Sequence, residues 1–364
     1  MDISFERLDI SDKQIMSKWD ELINRKAPPS FAVYCTSNWI KLLNNSYGYE
    51  PFLYFVKDKD NIIGLIPIVK VKSLIFGNRF MSLPITDHSC GPIVFDGNSY
   101  VYEKVYEFLV HISKKEKIDY IRLHNPPENS WKIIEKFSGV VPYNYYTFRV
   151  HLNKDEESFL NGLNKKRLGD IRRSEKKTKD FNISIRNNIH KSLMDQIYDV
   201  HRKHMKFLGS PAHNKKFFAE LLKQKNIFVL GEFENRIVAF YMFIESGNEI
   251  RWVIGNFDPK YKNRLLGTCI LWKIIKSNLN SNKVFDFGGT IINGNYSFKM
   301  GWLGKNFANG ELLNLKHYHI FFRGKNVLDP QKSQYIKMAN IWKKYVPSSF
   351  ANFVGPRIRS AMGV

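Results

Sequence analysis

IFVLGEFENRIVAFYMFIESGNEIRWVIGNFDPKYKNRLLGTCILWKIIK, residues 227–276, decides the fold of this chain. Its first part holds three β-rich runs in close succession, IFVLGEFE, RIVAFYMFIESG and EIRWVIGNF, which read as an antiparallel meander. The run that follows, YKNRLLGTCILWKIIKSNLN, reads as a helix with a glycine near its start. Two helical stretches precede the meander, HKSLMDQIYDVHRKHMKFLG and NKKFFAELLKQK. After it come a strand, KVFDFGG, a short helix or turn, YSFKMGWLG, and a closing strand, LLNLKHYHIFF. Helices, meander, helix and strand in that order make an α+β domain, entered near residue 146 through the strand YTFRVHL.

The 364 residues are too many for one small core and suit two domains of about 150 residues each. In the first half, PFLYFVKD and NIIGLIPIVKVKS are β-rich runs split by a turn, a hairpin pattern. SYVYEKVYEFLVHISKKEK carries Val105, Phe108, Leu109 and Ile112 at helical spacing, and IDYIRLHNP reads as a buried strand. The expected division is an N-terminal domain over 1–145, a C-terminal domain over 146–325 and a basic amphipathic helical tail over 326–364. In that tail Ile336, Ala339, Trp342 and Val346 keep helical spacing, and Phe350, Phe353 and Ile358 extend the apolar set. Such a tail either packs on its own domain or lies on an anionic membrane surface.

Hydrophobic residues make up 43% of the chain and aromatics 15%, ample for packed interiors. Cys35, Cys90 and Cys269 lie far apart without CxxC spacing. They offer neither a zinc site nor a disulfide framework, so a reducing cytoplasm is expected. The opening MDISFERLDISDKQ is acidic and polar, unlike a secretory signal. No apolar run approaches the ~20 residues that span a bilayer. P-loop, GxSxG, paired-carboxylate and zinc patterns do not occur in the sequence.

The formal charge of +22 draws in polyanions such as tRNA, nucleotide-linked sugars, coenzyme A or an anionic membrane face. It is not spread evenly. The stretch NKDEESFLNGLNKKRLGDIRRSEKKTKD, residues 153–180, reads as one helix with a capping-box start at Asn153 and Glu156. Phe159, Leu160, Leu163, Leu168 and Ile171 give its apolar face, while Lys165, Lys166, Arg172, Arg173 and Lys176 crowd the rest. That basic face is either solvated or an anion-binding stripe.

NRLLGTC, with Arg264, Gly267 and Cys269 as R-x-x-G-x-C, is a partial match to the [R/Q]-x-x-G-x-[G/A] loop of the GNAT acetyltransferase superfamily. There the free N–H groups at a helix N-terminus hold a pyrophosphate. The order of elements resembles the same superfamily. Five stretches resemble its FemAB-like branch in particular: IIGLIPIVK with MSLPITDHSCGPIV, LNKKRLGDIRRSEKK, KHMKFLGSPAHNKKFF, VFDFGGTIINGNYSFKMGWLG and IWKKYVPSSFANFVGPRIRSAM. The resemblance runs over nearly the whole chain and implies an α+β fold of two tandem GNAT-like domains. Each would be a twisted mixed or antiparallel sheet flanked by helices. It also implies acyl or aminoacyl transfer to an amine of a cell-envelope sugar or peptide precursor. One position departs from the pattern, since Gly289 stands where an arginine is frequent after D-F-G.

In acyl transfer to an amine the tetrahedral intermediate carries an oxyanion, and a fixed cation aimed at it lowers the barrier by several kcal/mol. The resemblance places that cation on Lys299, with Phe298 and Trp302 holding its stem and Gly288 and Gly289 admitting a close ligand. An ion pair with Asp286 is the structural alternative. Asp286 and then His204 are the candidates for a base. Asp87 is expected to cap a turn, and His201, three residues before His204, shows no metal-ligand pattern. Arg264, Gly267, Thr268, Gly288 and Gly289 are the expected cofactor contacts, and Arg167, Arg172, Arg173 and Trp302 the expected substrate contacts.

Two donors fit these features. Acyl-CoA is favoured by the R-x-x-G-x-C loop, aminoacyl-tRNA by the charge and the basic helix. The acceptor is expected to be a nucleotide- or lipid-linked sugar or peptide, no metal is expected, and the site of action is the cytoplasm or the inner membrane face. A non-catalytic protein that binds nucleic acid or a membrane surface on the same scaffold is the reading of another class.

Overall fold

A computed structural model describes residues 1–27, 29–85, 91–187, 189–290, 295–323 and 333–363. Asp87 and Cys90 lie outside the described residues. The chain divides into two compact units, Met1–Tyr145 with Leu315–Lys332 and Ser360–Val364, and Tyr146–Asn314 with Ser333–Arg359.

The first unit begins β1 (Ile3–Arg7), α1 (Lys13–Lys26), α2 (Pro29–Cys35) and α3 (Ser37–Tyr47). It continues β2 (Glu50–Asp58), β3 (Asn61–Val71), β4 (Arg79–Met81), β5 (Ile93–Val94), α4 (Ser99–Lys115), β6 (Tyr120–His124) and α5 (Trp131–Ile134). The expected hairpin is β2–β3, paired from Glu50↔Lys70 to Asp58↔Asn61. Helix α4 buries Val101, Tyr102, Val105, Tyr106, Leu109 and Ile112 in the unit's core, the faces that a 3.6-residue period brings together. Cys35 is disulfide-bonded, which corrects the expectation that the cysteines stay unpaired, and Cys269 is a free thiol.

The chain then runs through β7 (Val140–His151), α6 (Glu156–Gly162), α7 (Lys165–Lys177), β8 (Asn182–Arg186), α8 (Met194–Leu208) and α9 (Lys215–Leu221). The meander follows as β9 (Ile227–Phe233), β10 (Arg236–Ser246) and β11 (Glu249–Phe257), then α10 (Leu266–Lys276), β12 (Val284–Thr290), α11 (Tyr296–Leu303) and β13 (Gly310–Phe321). Helices α12 (Ser333–Tyr345) and α13 (Ser348–Met362) close the chain. In the second unit the sheet order is β7-β12-β11-β10-β9-β8, antiparallel except for β11 and β12. Alternation along β10 serves two layers: Ala239, Tyr241 and Phe243 join the cluster that holds Ile270 and Leu271 of α10, while Phe240 meets Phe218 of α9. The mixed α+β architecture with helices against a twisted sheet is the one the sequence pattern implies.

The single helix expected over 153–180 is two helices. Asp155 caps α6, its carboxylate accepting from the Ser158 N–H at 2.8 Å. Leu163 then turns extended (φ −72°, ψ 152°), and Asn164 caps α7 by accepting from the Arg167 N–H at 2.8 Å. Two short polar side chains that bond the backbone locally thus restart the helix where the pattern alone reads as continuous. Asn153 is exposed and lies before the first cap. Replacing Asp155 or Asn164 by alanine is expected to cost about 1 kcal/mol in urea unfolding, and Asn153→Ala only a few tenths. Equal costs at the three positions would contradict this placement of the caps.

Candidate active site

Strands β11 and β12 run parallel for three residue pairs only, from Glu249↔Val284 to Arg251↔Asp286. Among the described residues they pair no further, although β11 continues to Phe257 and β12 to Thr290. On its other edge β11 carries a bulge: Met242 pairs with Ile254 and Phe243 with Trp252, so Val253 has no counterpart in the ladder. A bulge of this kind re-aims side chains and frees a peptide group. Trp252 stacks on Tyr241 of β10 at 5.2 Å, and its indole N–H is buried without a hydrogen-bond partner among the described residues.

Strand β12 is bulged as well. Asp286 pairs with Arg149 of β7 and Gly289 with Thr147, so Phe287 and Gly288 together oppose a single residue. Gly288 stands at φ +70°, where a side chain would be strained. The carbonyls of Gly288 and Gly289 accept from Lys299 Nζ at 2.9 and 3.0 Å. Lys299 itself is 5% exposed on α11, and its ammonium lies 5.5 Å from the centre of the Trp252 ring. The lysine is therefore fixed at the break between β11 and β12.

Asp286 has a different setting. It is 1% exposed, and its carboxylate accepts from Thr147 Oγ1 at 2.7 Å, the Gly288 N–H at 2.8 Å and Arg251 at 3.3 Å. Arg251 also bonds Glu249 at 2.9 Å, Glu249 meets Arg149 at 2.5 Å, and Arg149 reaches Glu311 at 3.0 Å. Five alternating charges cross four strands as a ladder beneath the break. Its carboxylate is thus engaged by donors on β7, β11 and β12 and ties the three strands together.

Arg167 of α7 is 5% exposed and lies between the rings of Phe298 and Trp302 at 4.5 and 4.9 Å, donating to the Phe298 carbonyl. Its guanidinium occupies the space that a side chain at position 301 would need, because a Cβ on Gly301 would stand 2.9 Å from Nε. Burial pulls its pKa down to about 10, and Nε has no hydrogen-bond partner among the described residues. A cavity of about 250 Å³ opens beside it, lined by Asn164, Lys166, Asp170, Ser297 and Phe298. Trp302 is sealed in the core, with the Arg167 guanidinium over its ring. Arg172 and Arg173 are exposed on α7, and Arg173 pairs with Asp170.

Helix α10 is entered from Leu265, which sits at φ 59° and provides no side-chain cap. Gly267 lies against Tyr241, whose hydroxyl would be 2.5 Å from a Cβ there, so the helix start, Tyr241, Trp252 and Lys299 form one neighbourhood. Thr268 is buried in that first turn. Arg264 turns to Asp180 and stacks over Phe181 at 5.0 Å. Tyr241, Trp252 and Val253 went unnoticed in the sequence, since only the register between β10 and β11 reveals them.

His204 donates from Nδ1 to the Phe257 carbonyl at 3.0 Å, which leaves its lone pair on Nε2. Burial lowers its pKa, opposed by that bond. His201 is held neutral more firmly: Nδ1 bonds Asn256 Oδ1 at 2.8 Å while Nε2 accepts from the His213 N–H at 3.0 Å. Among the described residues no group of three His, Cys, Asp or Glu side chains is arranged to hold a metal.

Residues 165–300 match the model of the acetyltransferase (GNAT) domain. Comparison with curated proteins gave no match. Among solved structures, FemX superposes with a TM-score of 0.60 at 9% identity, covering 88% of this chain and 97% of FemX. A tandem GNAT protein from the clavulanic acid biosynthesis pathway gives 0.59 at 8% identity over 89% and 99% of the two chains. L-PGS from Bacillus licheniformis gives 0.53 at 13% identity over 93% and 98%. At these identities the likeness is one of fold.

Burial holds His201 at about 3 and keeps His204 below its ordinary value, and burial together with Arg359 keeps His213 well below it. Between the unfolded value of about 6.5 and these folded values the unfolded chain binds the extra protons, so stability falls as pH falls through that window. His201 alone removes about 2 kcal/mol at pH 5. The urea midpoint is expected to drop between pH 7.5 and 5, less so in His201→Gln. An unchanged midpoint would mean these imidazoles are charged in the fold.

Proposed function

We propose that this chain, whose residues 165–300 match the acetyltransferase (GNAT) domain and which has the tandem GNAT fold, is an acyltransferase. It moves an acyl group, acetyl foremost, from acyl-CoA to an amine of a cell-surface polysaccharide or envelope precursor carried on a nucleotide or a lipid. The observation that carries this reading is the break between β11 and β12, with the unladdered Val253 on one side and the uncapped start of α10 nearby. The N–H groups of Leu266, Gly267 and Thr268 have no side-chain cap, and such a helix start accepts a pyrophosphate.

In this reading the acceptor nitrogen attacks the thioester carbon, a C–N bond forms and the carbonyl electron pair moves to oxygen. The Val253 peptide N–H and the fixed charge of Lys299 face that oxygen. The C–S bond then breaks, coenzyme A leaves as the thiol, and the amine gives up one proton. His204, neutral and with its lone pair on Nε2, is the candidate to relay that proton. Arg167 and the cavity beside it are assigned to the acceptor.

A second donor, aminoacyl-tRNA, is favoured by one observation: Lys165, Lys166, Arg172, Arg173, Lys176 and Lys177 are all exposed on α7. The two are separated by stability and salt. Coenzyme A at about a hundred times its Kd is expected to stabilise the folded chain by about 2.7 kcal/mol. A transferase using tRNA instead loses activity on adding RNase, with a steep salt dependence. Lys299→Met is expected to stay folded at a cost of about 1–3 kcal/mol from the carbonyls left without a donor, and to keep the coenzyme A shift while lowering kcat by about 10²–10³. Full turnover in that variant would remove Lys299 from the mechanism, and full function there with loss on charge reversal at Arg172 and Arg173 would favour a non-catalytic binding protein.

A further inference from the structure

Helices α12 and α13 expose apolar side chains that their packing does not use. Of the thirteen large hydrophobic residues exposed among those described, six fall between Ile336 and Phe353. Helix α12 rests on α8, with Tyr335, Ala339 and Trp342 half-buried: Ala339 lies against Gly209, and Lys206 donates to the carbonyls of Trp342 and Lys343. No residue of α12 is fully buried. Next to this footing, Met338, Ile341 and Tyr345 form a second apolar stripe at i, i+3, i+7, and Lys337 and Lys344 run alongside it. In α13 the buried side is Ala351, Gly355 and Met362. Phe350 and Phe353, 54% and 67% exposed, point the other way with Arg357, whose guanidinium stacks on Phe353 at 4.3 Å.

The charge here has one sign. Residues 333–359 contain five Lys and Arg and no Asp or Glu. A cavity of about 530 Å³ at the foot of these helices adds Arg202, Lys203 and Lys206 against Asp199 and Asp258, an excess of one positive charge. Aromatic and aliphatic side chains flanked by cations, with no acid among them, match the boundary between anionic headgroups and acyl chains. A nucleic acid would use the cations and leave Met338 and Ile341 in water. A second copy of this surface would bring five positive charges against five. No helix among the described residues is long and apolar enough to cross a membrane, so the contact is peripheral.

We propose that α12 and α13 dock the protein on an anionic bilayer surface, with Met338, Ile341, Tyr345, Phe350 and Phe353 entering the interface and Lys337, Lys344 and Arg357 at the lipid phosphates. This holds whichever donor the active site uses. The test is flotation of the full chain with vesicles of phosphatidylcholine alone or with about a third phosphatidylglycerol. Partition into the anionic vesicles is expected to exceed that into the neutral ones by at least about tenfold, and to weaken with salt. Phe350→Ser with Phe353→Ser, and separately Lys337→Glu with Lys344→Glu, are each expected to lose about tenfold with the melting temperature unchanged. The proposal is overturned by equal partition of wild type and the phenylalanine variant, or by no partition at all. It is also overturned if the same variant instead abolishes self-association or RNA binding of the wild-type chain.

Discussion

The bulge in β12 turns the carbonyls of Gly288 and Gly289 out of the sheet, and the ammonium of Lys299 holds both. A buried carbonyl without a donor costs about 1–3 kcal/mol, so the distorted strand needs that partner. The need is mutual, because a buried ammonium is costly unless several oxygens and an aromatic face replace its water. Two carbonyls and the Trp252 ring are present at Lys299. One side chain thus fixes the shape of the break and its positive potential. A lysine set among glycines and aromatics is what this arrangement looks like from the sequence.

Below the break the strands are locked by charges, and above it β11 and β12 no longer pair with each other among the described residues. The ladder from Asp286 through Arg251, Glu249 and Arg149 to Glu311 ties β12, β11, β7 and β13 together at one level. Asp286, Arg251 and Glu249 are buried and each is supported by a neighbour of opposite sign, so removing one leaves an uncompensated buried charge, worth about 3–5 kcal/mol. That ladder explains why β11 and β12 can separate beyond Asp286 without the sheet fraying further. Asp286 is the end of that ladder nearest the opening.

The meander, the helix after it and the hairpin β2–β3 were legible because each is a local pattern of apolar period and turn residues. The site was legible in part. Lys299, Gly288 and Gly289 lie within fifteen residues and are joined by two hydrogen bonds, and Arg167 fills the space that Gly301 leaves. Val253, Trp252 and Tyr241 were not, since a bulge depends on the register of two strands and a stack on where their rings meet. The partners of Asp286 were not legible for the same reason: Thr147 and Arg251 stand 139 and 35 residues away. The break between α6 and α7 was missed because an apolar face can continue across two helices in line.

The net charge of +22 says little until its placement is known. On α7 the exposed cations share the helix with Asp170 and Glu175, and Arg173 is already paired with Asp170. Exposed pairs of this kind lower the field that a distant polyanion meets, which weakens the case for tRNA made from counting alone. On α12 and α13 the five cations have no acid between them and stand beside uncovered phenylalanine, isoleucine and methionine. Charge that is uncancelled and joined to apolar area selects a surface offering both anions and hydrocarbon. Uncancelled charge on a wholly polar face would select a polyanion in solution.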